Sequence, residues 1–176
     1  MRFTRTEIDG AWLIEPQPAE DARGSFSRVF CEREFAAHGL ETRFSQHSVS
    51  YTAARGTLRG LHFQRAPHEE TKVVACYRGA IFDVCVDLRT NSPTFRKWCG
   101  FELSAANRRR LYIPTGCAHG FQTLTDDVEV HYLISAFYNP EAGAGVRYDD
   151  PAFAVAWPLP VAAISDKDRV WPDFPD

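Results

Sequence analysis

The sequence predicts an all-β protein of the sandwich or barrel type. Short apolar or alternating runs are separated by turn residues along its whole length. Eleven glycines, eleven prolines and thirteen phenylalanines are spread through the 176 residues. Only one stretch reads as a helix. The first strand is the apolar run Trp12-Leu13-Ile14-Glu15. Residues 32–38 form the expected helix, with Gly39 as its C-terminal stop. Strands follow at 44–51, 57–64 and 71–78. Arg78-Gly79 reads as the tight turn of a hairpin leading into a strand at 80–88. Further strands are expected at 97–103, 110–113, 120–124 and 129–134. From Pro151 the chain carries Trp157, Pro158, Pro160, Trp171 and Pro172. It reads as an ordered wrap over the body, because flexible linkers seldom carry aromatics.

Bulk properties narrow the function. The length suits one domain, 1–176, large enough to bury a core. Apolar residues make up 44% and charged residues 24%, as in ordinary globular proteins. A net charge of −3 and a pI near 6.1 argue against nucleic acid or an anionic membrane as partner. No apolar run approaches the roughly 20 residues of a membrane span. The start, Met1-Arg2-Phe3-Thr4-Arg5, lacks the apolar centre of a signal peptide. The five cysteines include no CxxC pair and read as reduced strand or core residues. A cytoplasmic protein is expected.

Three segments carry chemistry: Arg59-Gly60-Leu61-His62-Phe63-Gln64, Pro114-Thr115-Gly116-Cys117-Ala118-His119-Gly120-Phe121 and Ser165-Asp166-Lys167-Asp168. A pocket holding both His and Arg can take a proton from carbon while binding an anionic substrate. Removing and returning a proton beside a carbonyl needs a base near neutral pKa, an acid on the opposite face and a cation near the enolate oxygen. His suits the base, and a carboxylate behind it fixes its tautomer and raises its basicity. Tyr suits the acid. His62, Asp168, Tyr132 and Lys72 are available for these roles. Spacing alone does not select them from six His, six Tyr and twenty Lys plus Arg. Asp83 and Asp87 alternate along an apolar strand and read as structural ion-pair partners. Arg108-Arg109-Arg110 reads as a solvated turn.

Gly56 followed by His62, and Pro114-x-Gly116-x-x-His119, resemble the two motifs of cupins, small jelly rolls of two sheets. Metal-binding cupins continue the first motif as His-x-His; this chain reads His62-Phe63-Gln64. A metal site assembled from His62, His68, Glu70 and His119 would have an unusual spacing.

A wider resemblance covers nearly the whole chain. Gly56-Thr57-Leu58-Arg59-Gly60-Leu61-His62-Phe63-Gln64, the segment 79–89, Asn91-Ser92-Pro93-Thr94, Leu111-Tyr112-Ile113-Pro114, Ala118-His119-Gly120-Phe121, Tyr138-Asn139-Pro140-Glu141 and Asp149-Asp150-Pro151 stand in register. Together they resemble dTDP-4-dehydrorhamnose 3,5-epimerases and related nucleotide-sugar epimerases. The resemblance implies a double-stranded β-helix jelly roll, cupin-like, with a few short helices. It implies a homodimer, no cofactor, no metal, and a dTDP-linked 4-keto-6-deoxy sugar as substrate. It casts His62 as base, Asp168 as its carboxylate partner, Tyr132 as acid and Lys72 as the cation at the keto oxygen. It makes Arg23 and Arg59 diphosphate ligands and Tyr138 a stacking surface for the nucleobase. Phe26, Gln46, His119 and Lys167 match further substrate-binding positions.

Two departures bear on the substrate. The usual Gln-x-Asn ahead of the serines is missing from Phe44-Ser45-Gln46-His47-Ser48-Val49-Ser50, where Gln46 is the candidate replacement for the amide ligand, and a common Glu is Arg28. An epimerase of one carbon only therefore stays open beside the double epimerase. A non-catalytic sugar-nucleotide-binding cupin and a metal-dependent cupin isomerase are the rivals from other classes. Strict alternation also sends Arg59 and His62 to opposite faces of their strand. A bulge or bend at Gly60 would bring both into one pocket.

Overall fold

A computed structural model describes residues 1–175. Its elements, in order, are β1 (Arg2–Arg5), β2 (Trp12–Glu15), β3 (Ala19–Asp21), β4 (Gly24–Phe26), α1 (Glu32–Ala37), β5 (Gln46–Thr52), β6 (Leu58–Gln64), β7 (Lys72–Arg78), β8 (Ala80–Asp87), β9 (Trp98–Ser104), β10 (Arg110–Ile113), β11 (Cys117–Thr123), β12 (Val128–Ile134), β13 (Gly143–Gly145) and α2 (Asp166–Arg169). One sheet runs β1-β2-β10-β7-β12-β5 and the other β13-β6-β11-β8-β9; β3 and β4 pair only with each other. All strand pairings are antiparallel. This is the expected jelly roll, with two short helices.

The two sheets exist because each buries an apolar face against the other. Val74, Leu111, Val128 and Val130 of the six-stranded sheet meet Ile81, Cys85, Leu103 and Phe121 of the five-stranded one. The outer faces are covered as well. Phe35 of α1 is fully buried against Ile14, Val73 and Tyr112. The tail packs Phe153, Trp157 and Phe174 over Leu61, Val84, Val86 and Ala118. It is pinned by Trp157 Nε1 donating to the Tyr148 carbonyl at 2.8 Å and the Phe174 amide donating to Asp150 at 2.6 Å. The wrap expected from its aromatics is present.

Three expectations need correction. Arg78-Gly79 does not close a hairpin. β7 pairs with β10 and β12, and β8 with β11 and β9 in the other sheet. Gly79, at φ +74°, carries the chain across the gap between sheets. A jelly roll passes successive strands between its two sheets, so a sharp turn need not join paired strands. Second, the strand expected at 120–124 begins at Cys117. Its small residues suggest a turn but allow close strand approach: a Cβ on Gly120 would lie 2.7 Å from the Arg59 carbonyl oxygen. Third, Arg110 is not in a solvated turn. It is buried in β10, donating to the Tyr77 hydroxyl, while Arg109 pairs with Glu15.

Asp87 anchors the loop after β8. Its fully buried carboxylate accepts from Arg89 Nε and Nη2, both at 2.8 Å, Ser92 Oγ at 2.5 Å and Thr94 Oγ1 at 2.6 Å. Burial pushes this carboxyl up, but the four donors outweigh it and hold the pKa at about 2, against an ordinary 3.8. A depressed carboxyl stabilises the fold above its unfolded pKa and loses that contribution as pH falls through the folded value. The shift corresponds to about 2 kcal/mol, present above pH 4 and lost towards pH 2. Asp87→Asn is expected to destabilise the protein by at least about that amount at pH 7. It should also flatten the acid limb of stability measured by urea unfolding between pH 4 and 2. An unchanged limb would contradict this.

Candidate active site

A cavity of about 780 Å³ opens between the sheets. His62 on β6 and His119 on β11 supply one wall; Gln46 and Ser50 on β5, Lys72 on β7 and Tyr132 on β12 supply the facing wall. Arg59, Tyr138, Lys167 and Asp168 complete the lining among the residues expected from the sequence.

Arg59 and His62 share this cavity because β6 is bulged. His119 lies opposite His62, and Phe121 opposite Arg59. Two residues on β11 thus span three on β6, and the extra residue falls at Gly60-Leu61. Gly60 has φ +123°, and a Cβ there would lie 2.5 Å from Gly120 Cα. The left-handed region and the lack of space both demand glycine. Leu61 turns away into the core beneath the tail.

Asp168 reaches the cavity from the tail. Thr57 bridges to Ala163 in parallel, and the Leu58 amide donates to the Ala163 carbonyl at 2.8 Å. Ser165 then caps α2, its hydroxyl accepting from the Asp168 amide at 3.1 Å. Asp168 Oδ1 lies 2.5 Å from His62 Nε2, and Oδ2 accepts from the Gly60 amide at 3.3 Å. Burial raises this carboxyl, but hydrogen bonds from His62, its charge, and the Gly60 and Ser165 donors hold it below the usual range. An ionised Asp168 selects the His62 tautomer with hydrogen on Nε2, so Nδ1 carries the lone pair. Among the described residues nothing hydrogen-bonds to Nδ1.

His119 forms a second pair beside the first, its Nε2 lying 2.7 Å from Asp83 Oδ1. Both side chains are buried. Burial pushes the Asp83 carboxyl up, and His119 pulls it back only in part. Across the gap, the Tyr132 ring lies 6.1 Å from the His119 ring. The Tyr132 hydroxyl lies 3.1 Å from Ser50 Oγ, and burial raises the phenol well above its ordinary range. Tyr132 is therefore a neutral phenol able to give a proton.

Lys72 Nζ lies 2.9 Å from Glu70 Oε1 and 3.4 Å from the His62 carbonyl oxygen. Arg59 donates to Thr52 Oγ1 and the Tyr51 carbonyl, both at 3.0 Å. Lys167 Nζ sits 5.3 Å over the Trp171 ring. Gln46 Oε1 accepts from the Tyr138 amide at 2.7 Å, tying β5 to the loop that carries the exposed Tyr138 ring.

Arg23 and Phe26 lie elsewhere. They sit on the β3–β4 hairpin, Arg23 paired to Asp21 and Phe26 73% exposed. Neither lines this cavity. Ser50, Glu70 and Asp83 were not assigned to catalysis or substrate binding from the sequence, yet each contacts a candidate residue. Ser50 and Asp83 meet theirs across paired strands, where only the register brings them together, while Glu70 stands two residues from Lys72. His62, His68, Glu70 and His119 are not assembled as a metal site: His68 contacts Asn139, and the other three pair as described. Among the described residues no three His, Cys, Asp or Glu side chains are grouped to hold a metal ion.

The arrangement puts a carboxylate-backed imidazole on one wall, a neutral phenol on the opposite wall, and the cations Arg59, Lys72 and Lys167 in the same lining. The profile of the dTDP-4-dehydrorhamnose 3,5-epimerase family matches residues 5–176. The dTDP-4-dehydrorhamnose 3,5-epimerase of Methanothermobacter thermautotrophicus is 47% identical over 97% of this chain and 92% of its own length. The dTDP-4-dehydrorhamnose 3-epimerase of Streptomyces niveus is 39% identical over 96% of this chain and 82% of its own. The crystal structure of the 3,5-epimerase from Bacillus anthracis, with TDP and pyrophosphate bound, superposes with a TM-score of 0.94 at 41% identity, covering 98% of this chain and 99% of that one. This chain belongs to the dTDP-4-dehydrorhamnose 3,5-epimerase family.

Proposed function

We propose that the protein epimerises a dTDP-linked 4-keto-6-deoxyhexose at carbons 3 and 5, as a dTDP-4-dehydrorhamnose 3,5-epimerase. One observation carries this reading: the His62–Asp168 pair and the Tyr132 hydroxyl face one cavity from opposite sheets. A stereocentre inverts when a proton leaves one face of a carbon and returns to the other, and this layout supplies both groups without moving the sugar. His62 Nδ1 takes the proton alpha to the keto group, and the electron pair shifts to the keto oxygen as an enolate. Lys72 stabilises that oxygen. Tyr132 protonates the carbon from the far side. The same groups serve both carbons, since each is alpha to carbon 4.

Arg59 and Lys167 provide donors for a diphosphate, and bidentate guanidinium geometry suits phosphate oxygens. Tyr138 offers its exposed ring to the base. Arg23 and Phe26 act on this reading in a homodimer, the β3–β4 hairpin of one copy completing the cavity of the other. Five free thiols suit a reducing compartment, which favours the cytoplasm. No helix of the described residues is long and apolar enough to cross a membrane.

Product NMR of dTDP-4-keto-6-deoxyglucose after incubation tests the reading. Inversion at carbons 3 and 5 is expected; an unchanged sugar would overturn it. Inversion at carbon 3 alone would place the protein with the Streptomyces niveus relative. Tyr132→Phe is expected to slow product formation by about a hundredfold. Proton removal, followed as exchange with solvent, should slow much less. Equal rates to the parent in both measurements would mean another acid.

A further inference from the structure

Glu70 is a charged group on the cavity wall that the reaction as derived does not use. It stands two residues before Lys72, in the segment that leads into β7. Both line the cavity, and both are nearly buried, with side chains 10% and 11% exposed. The carboxylate lies 2.9 Å from the ammonium.

We propose that Glu70 is a positioning residue that holds Lys72 on the substrate side of the cavity, where the enolate oxygen forms. This rests on the reading of function given above. Lys72 has a competing attraction. Asp83, behind it on β8, is fully buried, and its Oδ2 has no hydrogen-bond partner among the described residues. Lys72 is close enough for its charge to act on that carboxyl. The other charged or titratable groups lining this space are His62 and Arg59 on β6, His119 on β11, Tyr132 on β12, Tyr138 in the loop after it, and Lys167 and Asp168 on α2. Among these only Asp168 is a carboxylate, and His62 and Gly60 engage it. Glu70 is thus the one carboxylate in this lining that holds the ammonium in the cavity. Without its charge, the ammonium turns towards Asp83 and away from the keto oxygen. A misplacement of about 1 Å at a reacting centre can cost about a hundredfold in rate.

Glu70→Gln keeps shape and an acceptor oxygen but removes the charge. It is expected to lower kcat on dTDP-4-keto-6-deoxyglucose by about tenfold or more, with KM within about twofold and unfolding temperature little changed. Glu70→Asp, which keeps the charge, should recover part of kcat. In a Lys72→Met background Glu70→Gln should change kcat by less than about twofold, because the group it positions is gone. A parent-like kcat in Glu70→Gln would overturn the proposal. So would an equal fold-loss in both backgrounds, which would mean an effect independent of Lys72. A parent chain that turns nothing over would remove the functional reading and this inference together. An active parent with an unaffected Glu70→Gln would remove this inference only.

Discussion

Replacing His62 by alanine is expected to lower turnover by about ten-thousandfold while leaving the fold in place. Two facts set the size of the effect. His62 has a buried carboxylate behind it and a free ring nitrogen in front, and unlike the buried His119 it stands exposed to the cavity. On the proposed mechanism it also takes the proton at both carbons, so no second step escapes its loss. The fold survives because the imidazole is 43% exposed and holds no core contact that its removal would empty. The variant strands part of the Asp168 carboxylate, but the Gly60 amide and the α2 cap stay. A stability loss of about 1–2 kcal/mol follows, too small to unfold a protein of ordinary stability. Steady-state kinetics with circular dichroism on the same sample checks both halves. Full activity in a folded variant would end the assignment of His62 as base.

Gly60→Ala is expected to have the largest effect on stability, about 3 kcal/mol or more. The new methyl would meet Gly120 Cα at 2.5 Å and the His119 carbonyl oxygen at 2.8 Å. Both obstacles are backbone in a paired strand, so neither swings aside as a side chain would. The positive φ adds its own strain for any residue with a Cβ. Activity should fall further than stability alone explains, because relaxing the bulge separates Arg59 from His62 and withdraws the amide from Asp168. Denaturant unfolding and kcat measured well below the midpoint separate the two losses. A variant as stable and active as the parent would show that the bulge is dispensable.

Most of the β-structure was legible in the sequence because its signal is local. Runs such as Lys72–Arg78 and Val128–Ile134 alternate or stay apolar between turn residues, and the strands lie within a few residues of their expected bounds. The strands that escaped are short and lack such a signal: Arg2-Phe3-Thr4-Arg5, Ala19-Glu20-Asp21, Gly24-Ser25-Phe26 and Gly143-Ala144-Gly145 owe their state to their neighbours. The sheet change at Gly79 was hidden for the same reason, since a turn does not state which strand lies beside the next. Partnerships in the cavity were less legible still. Asp168 stands 106 residues from His62, and Tyr132 is 82 residues from Ser50. No spacing rule spans such gaps, and only resemblance to a family pointed to Asp168. The alternation conflict at Arg59 and His62 was different. The sequence stated both the conflict and the glycine that resolves it.

The most direct test of the account is proton NMR of dTDP-4-keto-6-deoxyglucose with the enzyme in heavy water, run beside His62→Ala. Deuterium entering at carbons 3 and 5 with the parent, and at neither with the variant, is the predicted result. Deuterium entering equally with both proteins, or at neither carbon with the parent, would contradict it.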